Sequence, residues 1–213
     1  MPKNRTHFIV LEGIDGSGTT TQTAMLHEHL VGRGLASWPT REPTDAPLGR
    51  FIRDTLSGQT DSQGKTPVAL SESALCLLFA ADRIEHSRVI DETRRKKHVI
   101  CDRYIMSSIA YQSRDPDISA ERVIEVNHGC AAPDLTFYLD VSVDDCLHRL
   151  EGRNDSPSVY EKRDLLETIA RNYRLVSSIY QRHFGLLIEI DGSRSPTDVH
   201  QEITTRIDQH LKL

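Results

Sequence analysis

The chain has 213 residues, 38% of them hydrophobic and 27% charged, with a formal net charge of -5. That length suits one domain with a substantial core, and the acidic balance argues against broad nucleic-acid binding, which needs a basic face. The sequence has no apolar run near the roughly 20 residues of a membrane span, and the segment after Lys3 and Arg5 is too short for a signal-peptide core, so a soluble, cytoplasmic protein is expected.

In chain order, Phe8–Leu11 reads as a buried strand and leads into Glu12-Gly13-Ile14-Asp15-Gly16-Ser17-Gly18-Thr19-Thr20-Thr21-Gln22, after which a helical period covers Thr20–Arg33. A weaker strand, Ala36–Thr40, ends in the polar cluster Arg41-Glu42-Pro43 and is followed by Pro47–Thr55, where Arg50 and Arg53 are three apart. The polar stretch Leu56–Pro67 reads as a surface connection. The next helix, Ser71–Lys97, has Ser71 as its cap, and Phe79 and Arg83, four apart, share one of its faces. A strand at His98–Cys101 runs into Asp102-Arg103-Tyr104, and a helix follows at Ile105–Gln112.

Beyond these lie a strand at Leu135–Val141, a Ser142-capped helix at Val143–Leu150 and a polar segment at Arg153–Val159. A helix at Leu165–Phe184, a strand at Leu187–Ile190 and a helix at Pro196–Leu211, with proline at its first position, complete the chain. Strands alternating with helices predict an α/β fold, a three-layer α/β/α sandwich around a five-stranded parallel sheet, in a single domain over residues 1–213. Cys76, Cys101, Cys130 and Cys146 form no C-x-x-C and read as buried free thiols.

The glycine-rich stretch meets the phosphate-loop pattern G-x-x-x-x-G-K-[ST] at Gly13, Gly18 and Thr20, with Thr19 standing where the lysine belongs. Gly13, Gly16 and Gly18 permit the backbone to approach an anion closely, and the following helix adds its N-terminal partial positive charge. Neither contribution depends on a lysine. Asp15, Ser17, Thr19 and Thr21 belong to the same candidate ATP-binding loop, and Thr20 stands at the Mg²⁺-binding hydroxyl position. Asp102 and Arg103 emerge together from a strand end beside it, where an acid suits Mg²⁺-water coordination and a base suits phosphate. Phe79 could stack on a flat base and Arg83 could donate to a carbonyl on its edge, although phenylalanine on a helix is usually core. Arg149 and Arg153 flank the start of a polar loop that could act as a water-excluding lid around 150–160.

Taken together, Phe8–Gln22, Thr40–Pro43 with Pro47–Arg53, Leu77–His86, Asp102–Gln112, Pro133–Val141 and Ile190–Gly192 resemble thymidylate kinase, of the nucleoside-monophosphate kinase group with the P-loop NTPase fold. The resemblance implies transfer of the ATP γ-phosphoryl group to dTMP with Mg²⁺, in dTTP synthesis, and a homodimer. It implies that Phe79 stacks on thymine, Arg83 bonds its carbonyl edge, Arg53 and Arg103 hold the dTMP phosphate, and Asp15 meets the sugar 3′-hydroxyl. Ser107 and Ser108 fall where the family contacts the base edge or nearby phosphate, Tyr111 where it crowds the 2′ position, and Asp102 where it organises Mg²⁺ and the transferring phosphate.

Three positions depart from the family pattern: Thr19 replaces the lysine, Gly16 stands where some members have an arginine, and Thr44-Asp45-Ala46 replaces the usual Gly-Gly-Thr. Arg153, Arg149 and Arg103 are therefore the candidate catalytic cations, together with Asp102. A nucleotide-binding protein impaired in catalysis, or a kinase for another pyrimidine nucleotide, are the alternative readings.

Overall fold

The computed structural model describes residues 5–58, 69–113, 117–151 and 159–211, with only the backbone for 159–162. The element order is β1 (Phe8–Glu12), α1 (Thr19–Gly32), β2 (Ser37–Arg41), α2 (Pro47–Ser57), α3 (Glu72–Thr93), β3 (His98–Asp102), α4 (Ile105–Gln112) and α5 (Ala120–Val126). It continues with β4 (Leu135–Asp140), α6 (Val143–Leu150), α7 (Val159–Phe184), β5 (Leu187–Asp191) and α8 (Pro196–Leu211). The five strands form one sheet in the order β2-β3-β1-β4-β5, and every pairing is parallel. The expected α/β architecture is therefore present. Most of the connection expected at Leu56–Pro67, and the lid segment with Arg153, lie outside the described residues.

Burial on both faces explains the uninterrupted apolar strands. Along β1, Phe8 and Val10 join one core cluster while Ile9 and Leu11 join the other, as the period of two requires. The first cluster draws on α3, α4, α5, α6 and α7, and the second on α1 and α8. Ser71 and Ser142 cap as expected, accepting from the amides of Ala74 and Asp145. The short helix α5, capped by Ser119, has only seven residues, too few for a helical period to stand out in the sequence. Cys76, Cys101 and Cys146 are buried free thiols, and Cys130 is half-buried.

Register sets the working end of the sheet. Asp102 is paired with Leu11 on one side and Arg41 on the other, so the segments leaving β1, β2 and β3 emerge side by side. A buried carboxylate ties two of them together. One oxygen of Glu12, at the end of β1, accepts from the amides of Tyr104 (2.9 Å) and Ser107 (3.3 Å), and the other accepts from the hydroxyls of Ser107 and Tyr173. Helix α4 has no side-chain cap of its own, so a neighbouring strand caps it. Burial raises the Glu12 carboxyl above the usual glutamate range, although its hydrogen bonds to Ser107 and Tyr104 and the nearby Arg103 charge oppose the rise.

Glu12→Ala would leave two amides without their partner at the start of α4. It is expected to destabilise the fold by on the order of 2–4 kcal/mol in denaturant unfolding. Because the folded carboxyl titrates above its unfolded value, the stability Glu12 contributes is fully present below the ordinary glutamate range and is lost as pH rises through the folded value. The gap between wild type and variant should therefore narrow from mildly acidic toward neutral pH. A loss well under 1 kcal/mol would show that the cap is dispensable.

Candidate active site

The glycine-rich stretch closes into a tight loop between β1 and α1, with the Ser17 amide donating to the Ile14 carbonyl at 3.0 Å. Gly16 and Gly18 have φ of 87° and 100°, conformations that a side chain would strain. At Gly16 an added Cβ would also lie 2.6 Å from the Cys146 carbonyl oxygen, so a side chain has no room there in this loop. Helix α1 has Gly18 as its N-cap, without a side-chain cap and without an acidic residue in its first turn. Its first amides have no intrahelical acceptors and are available to an anion. Gly13, Ser17 and Thr19 are buried, whereas Asp15, Thr20 and Thr21 are exposed.

At the mouth of the loop, the Thr20 hydroxyl donates to Asp102 Oδ2 at 2.5 Å, while Asp102 Oδ1 is buried without a hydrogen-bond partner among the described residues. A hydroxyl and a carboxylate with an unsatisfied oxygen form a hard oxygen donor set, so the residues fit Mg²⁺.

One residue further along, Arg103 has a φ of 66° and its amide bonds the Leu11 carbonyl at 2.8 Å. Its guanidinium donates to Asp15 at 2.6 Å and to the Tyr111 hydroxyl at 2.8 Å. The structure thus brings Asp15, Thr20, Asp102, Arg103 and Tyr111 together. Ser107 is committed to Glu12, and its hydroxyl oxygen lies 2.7 Å from that of Tyr173.

Arg83 departs from the expectation of a donor open to a ligand. It is 1% exposed and donates to Glu42 (2.6 Å), Asn127, the Tyr104 carbonyl and Ser108 (2.8 Å). Four of its five N–H groups are thereby used inside the protein. The second Glu42 oxygen bonds His86 at 2.9 Å, so the whole group is a buried charged network, in which losing one partner typically costs about 3–5 kcal/mol. Ser108, 4% exposed, is likewise spent on Arg83. Phe79, one turn before Arg83, is half-buried and belongs to neither core cluster among the described residues.

Arg53 reaches back from α2 to the Pro43 carbonyl and to Asp45 at 2.9 Å. Arg149 is exposed and donates to the carbonyls of Gly16 and Ser17, both at 3.4 Å, and of Gly192 at 3.0 Å. It braces the outside of the loop through carbonyls, a contact that sequence spacing could not reveal. Arg153 lies outside the described residues. Sequence reasoning also missed Glu42, Asn127 and Tyr173 as partners of site residues. Only Glu42 carried a signal, as a charged residue following a strand directly.

A cavity of about 870 Å³ opens beside Thr20 and Asp102, bounded by α1, β2, the start of α2 and α3. Phe79, Arg83, Ser107, Ser108 and Tyr111 do not line it. The expected base-binding residues therefore lie elsewhere, and the cavity meets the candidate site only at the Thr20–Asp102 pair.

The thymidylate kinase family model matches residues 11–203. The chain is 39% identical over 197 residues to the probable thymidylate kinase of Methanocaldococcus jannaschii, covering 92% of this chain and 93% of that one. It is 34% identical over 202 residues to the probable thymidylate kinase of Methanococcus aeolicus (94% and 95% covered) and 33% identical over 209 residues to that of Pyrococcus abyssi (97% and 98% covered). Since the match runs from the end of β1, through the glycine loop and the Asp102–Arg103 pair, into the last helix, the chain belongs to the thymidylate kinase family.

Proposed function

We propose that the chain transfers the γ-phosphoryl group of ATP to dTMP, giving dTDP and ADP for dTTP synthesis. The observation that carries this reading is the adjacency of the two halves of the site: the Thr20–Asp102 pair at the glycine loop and, at the next residue, the Arg103 guanidinium held by Asp15 and Tyr111. Phosphoryl transfer needs its two anionic substrates aligned, their charge offset and water excluded, and it needs no covalent intermediate.

In this reading the amides at the start of α1 receive the ATP phosphates, helped by the helix dipole. Thr20 and Asp102 would hold Mg²⁺, which would offset charge on the donor phosphates. Arg103 and Arg53 take the dTMP phosphate, Asp15 the 3′-hydroxyl, and Phe79 the face of thymine. Tyr111 stands against a ribose 2′ position. A carbonyl contact from Arg83 requires it to share or exchange a present partner, so its main contribution is to hold Glu42 and Ser108 in place beneath the base. Arg149, Arg153 and Arg103 supply cationic charge that Thr19 does not. We place the protein in the cytoplasm; among the described residues no helix is long and apolar enough to cross a membrane.

A homodimer is supported by large apolar side chains left exposed on two packed helices: Leu48, Phe51 and Leu56 on α2, and Leu77, Ile84 and Val89 on α3. Against a binding protein without catalysis stands the joint presence of Thr20, Asp102 and Arg103, with Thr20 bonded to Asp102 and Arg103 held by Asp15 and Tyr111. Nothing observed favours another acceptor over dTMP.

Purified protein is expected to phosphorylate dTMP in a steady-state assay with Mg²⁺ and ATP, and Thr20→Ala or Arg103→Ala should lower kcat/KM by about a hundredfold or more. Wild-type turnover no higher than that of a protein carrying both Thr20→Ala and Arg103→Ala would overturn the reading. Equal efficiency with UMP would remove the assignment of Tyr111.

A further inference from the structure

The loop between β2 and α2 gathers three guanidinium groups around one residue. Asp45 Oδ1 accepts from Arg41 at 2.7 Å and from Arg53 at 2.9 Å, and Arg50 donates to the Asp45 backbone carbonyl. Three cations against one carboxylate leave a surplus of two positive charges, which suits a dianion. We propose that the Asp45 carboxylate is an internal stand-in for the acceptor phosphate: it occupies the Arg41–Arg53 anion site in the free enzyme and must be displaced when dTMP binds. This inference rests on the reading of Arg53 as a ligand of the dTMP phosphate.

The surroundings are built so that only the side chain need move. Thr44, just before Asp45, is clamped by Asp82, which accepts from its amide at 2.8 Å and its hydroxyl at 2.6 Å. The Thr44 hydroxyl in turn accepts from the Ala46 amide at 3.2 Å, and α2 begins at Pro47. Gly49 presses the helix onto the same loop, since a Cβ there would sit 2.0 Å from the Thr44 carbonyl oxygen. The backbone on both sides of Asp45 is therefore fixed.

The Asp45 side chain is 71% exposed, and among the described residues its carboxylate is held by the Arg41 and Arg53 ion pairs. Exposed pairs of this kind are weak, so the carboxylate can yield to a phosphate that brings two charges and three oxygens to the same donors. Its hydrogen bond to Arg41 holds the Asp45 carboxyl below the usual aspartate range, so the competitor is ionised at neutral pH. The opposite role, an aspartate that improves binding by aiming Arg53, predicts the opposite sign for its removal. The two can be told apart directly.

Asp45→Asn and Asp45→Ala should each lower the KM for dTMP by about three- to tenfold while leaving kcat and the KM for ATP unchanged. Titration calorimetry should show dTMP binding tightened by the same factor and thymidine binding unaltered, because only the phosphate competes. An unchanged or raised KM for dTMP in both variants, with normal wild-type turnover, overturns the inference and leaves the kinase reading intact. Tightening of thymidine as much as dTMP also overturns it, since a general change in the loop would then be responsible. Wild-type protein that neither phosphorylates nor binds dTMP overturns both.

Discussion

The glycine loop and the Asp102–Arg103 pair stand side by side because β1 and β3 are hydrogen-bonded neighbours in parallel register. That pairing places two loops at the same end of the sheet, and the Glu12 carboxylate joins the base of one to the first turn of the helix after the other. An ionisable group with no exposed surface is costly to bury, and here it persists because every oxygen is met by donors. In open α/β sheets ligands bind beyond the carboxyl ends of the strands, and the tie fixes the relative position of the two loops at that end.

Charge is distributed unevenly across that site. The loop that would receive ATP offers backbone amides and a helix end, with a buried Thr19 where a lysine would put a point charge. Arginines stand around the site, each with a defined partner: Arg103 is held by Asp15 and Tyr111, Arg53 by Asp45 and the Pro43 carbonyl, and Arg149 by carbonyls of the glycine loop itself. Arg83 alone is withdrawn into the interior, where its ion pair with Glu42 fixes the segment after β2 against α3. Exposed pairs such as Arg53–Asp45 are weak, whereas the buried Arg83–Glu42 pair is costly to break, so Arg83 shapes the wall of the site.

Much of this could be read in the sequence because it depends on local rules. Strands with apolar residues on both faces, serines before apolar helical runs and glycines flanking a phosphate-loop hydroxyl are short-range patterns, and the five strands and the caps at Ser71 and Ser142 appear where those patterns lie. What was hidden depends on residues far apart in the chain. Glu42 and Arg83 are 41 positions apart, and Arg149 reaches a carbonyl 133 positions away, and neither contact leaves a trace in periodicity or spacing. Asp45 was visible as a departure from the family's glycine, but its meeting with Arg53 required α2 to fold back over the loop.

If this loop holds ATP through its amides and the Thr20–Asp102 pair, as we propose, binding of Mg-ATP does not depend on the missing lysine. Calorimetric titration of Mg-ATP into wild-type protein and into Thr19→Lys tests it most directly. Wild type should bind Mg-ATP, and the lysine should tighten binding by no more than about tenfold. Binding seen only in Thr19→Lys would contradict it.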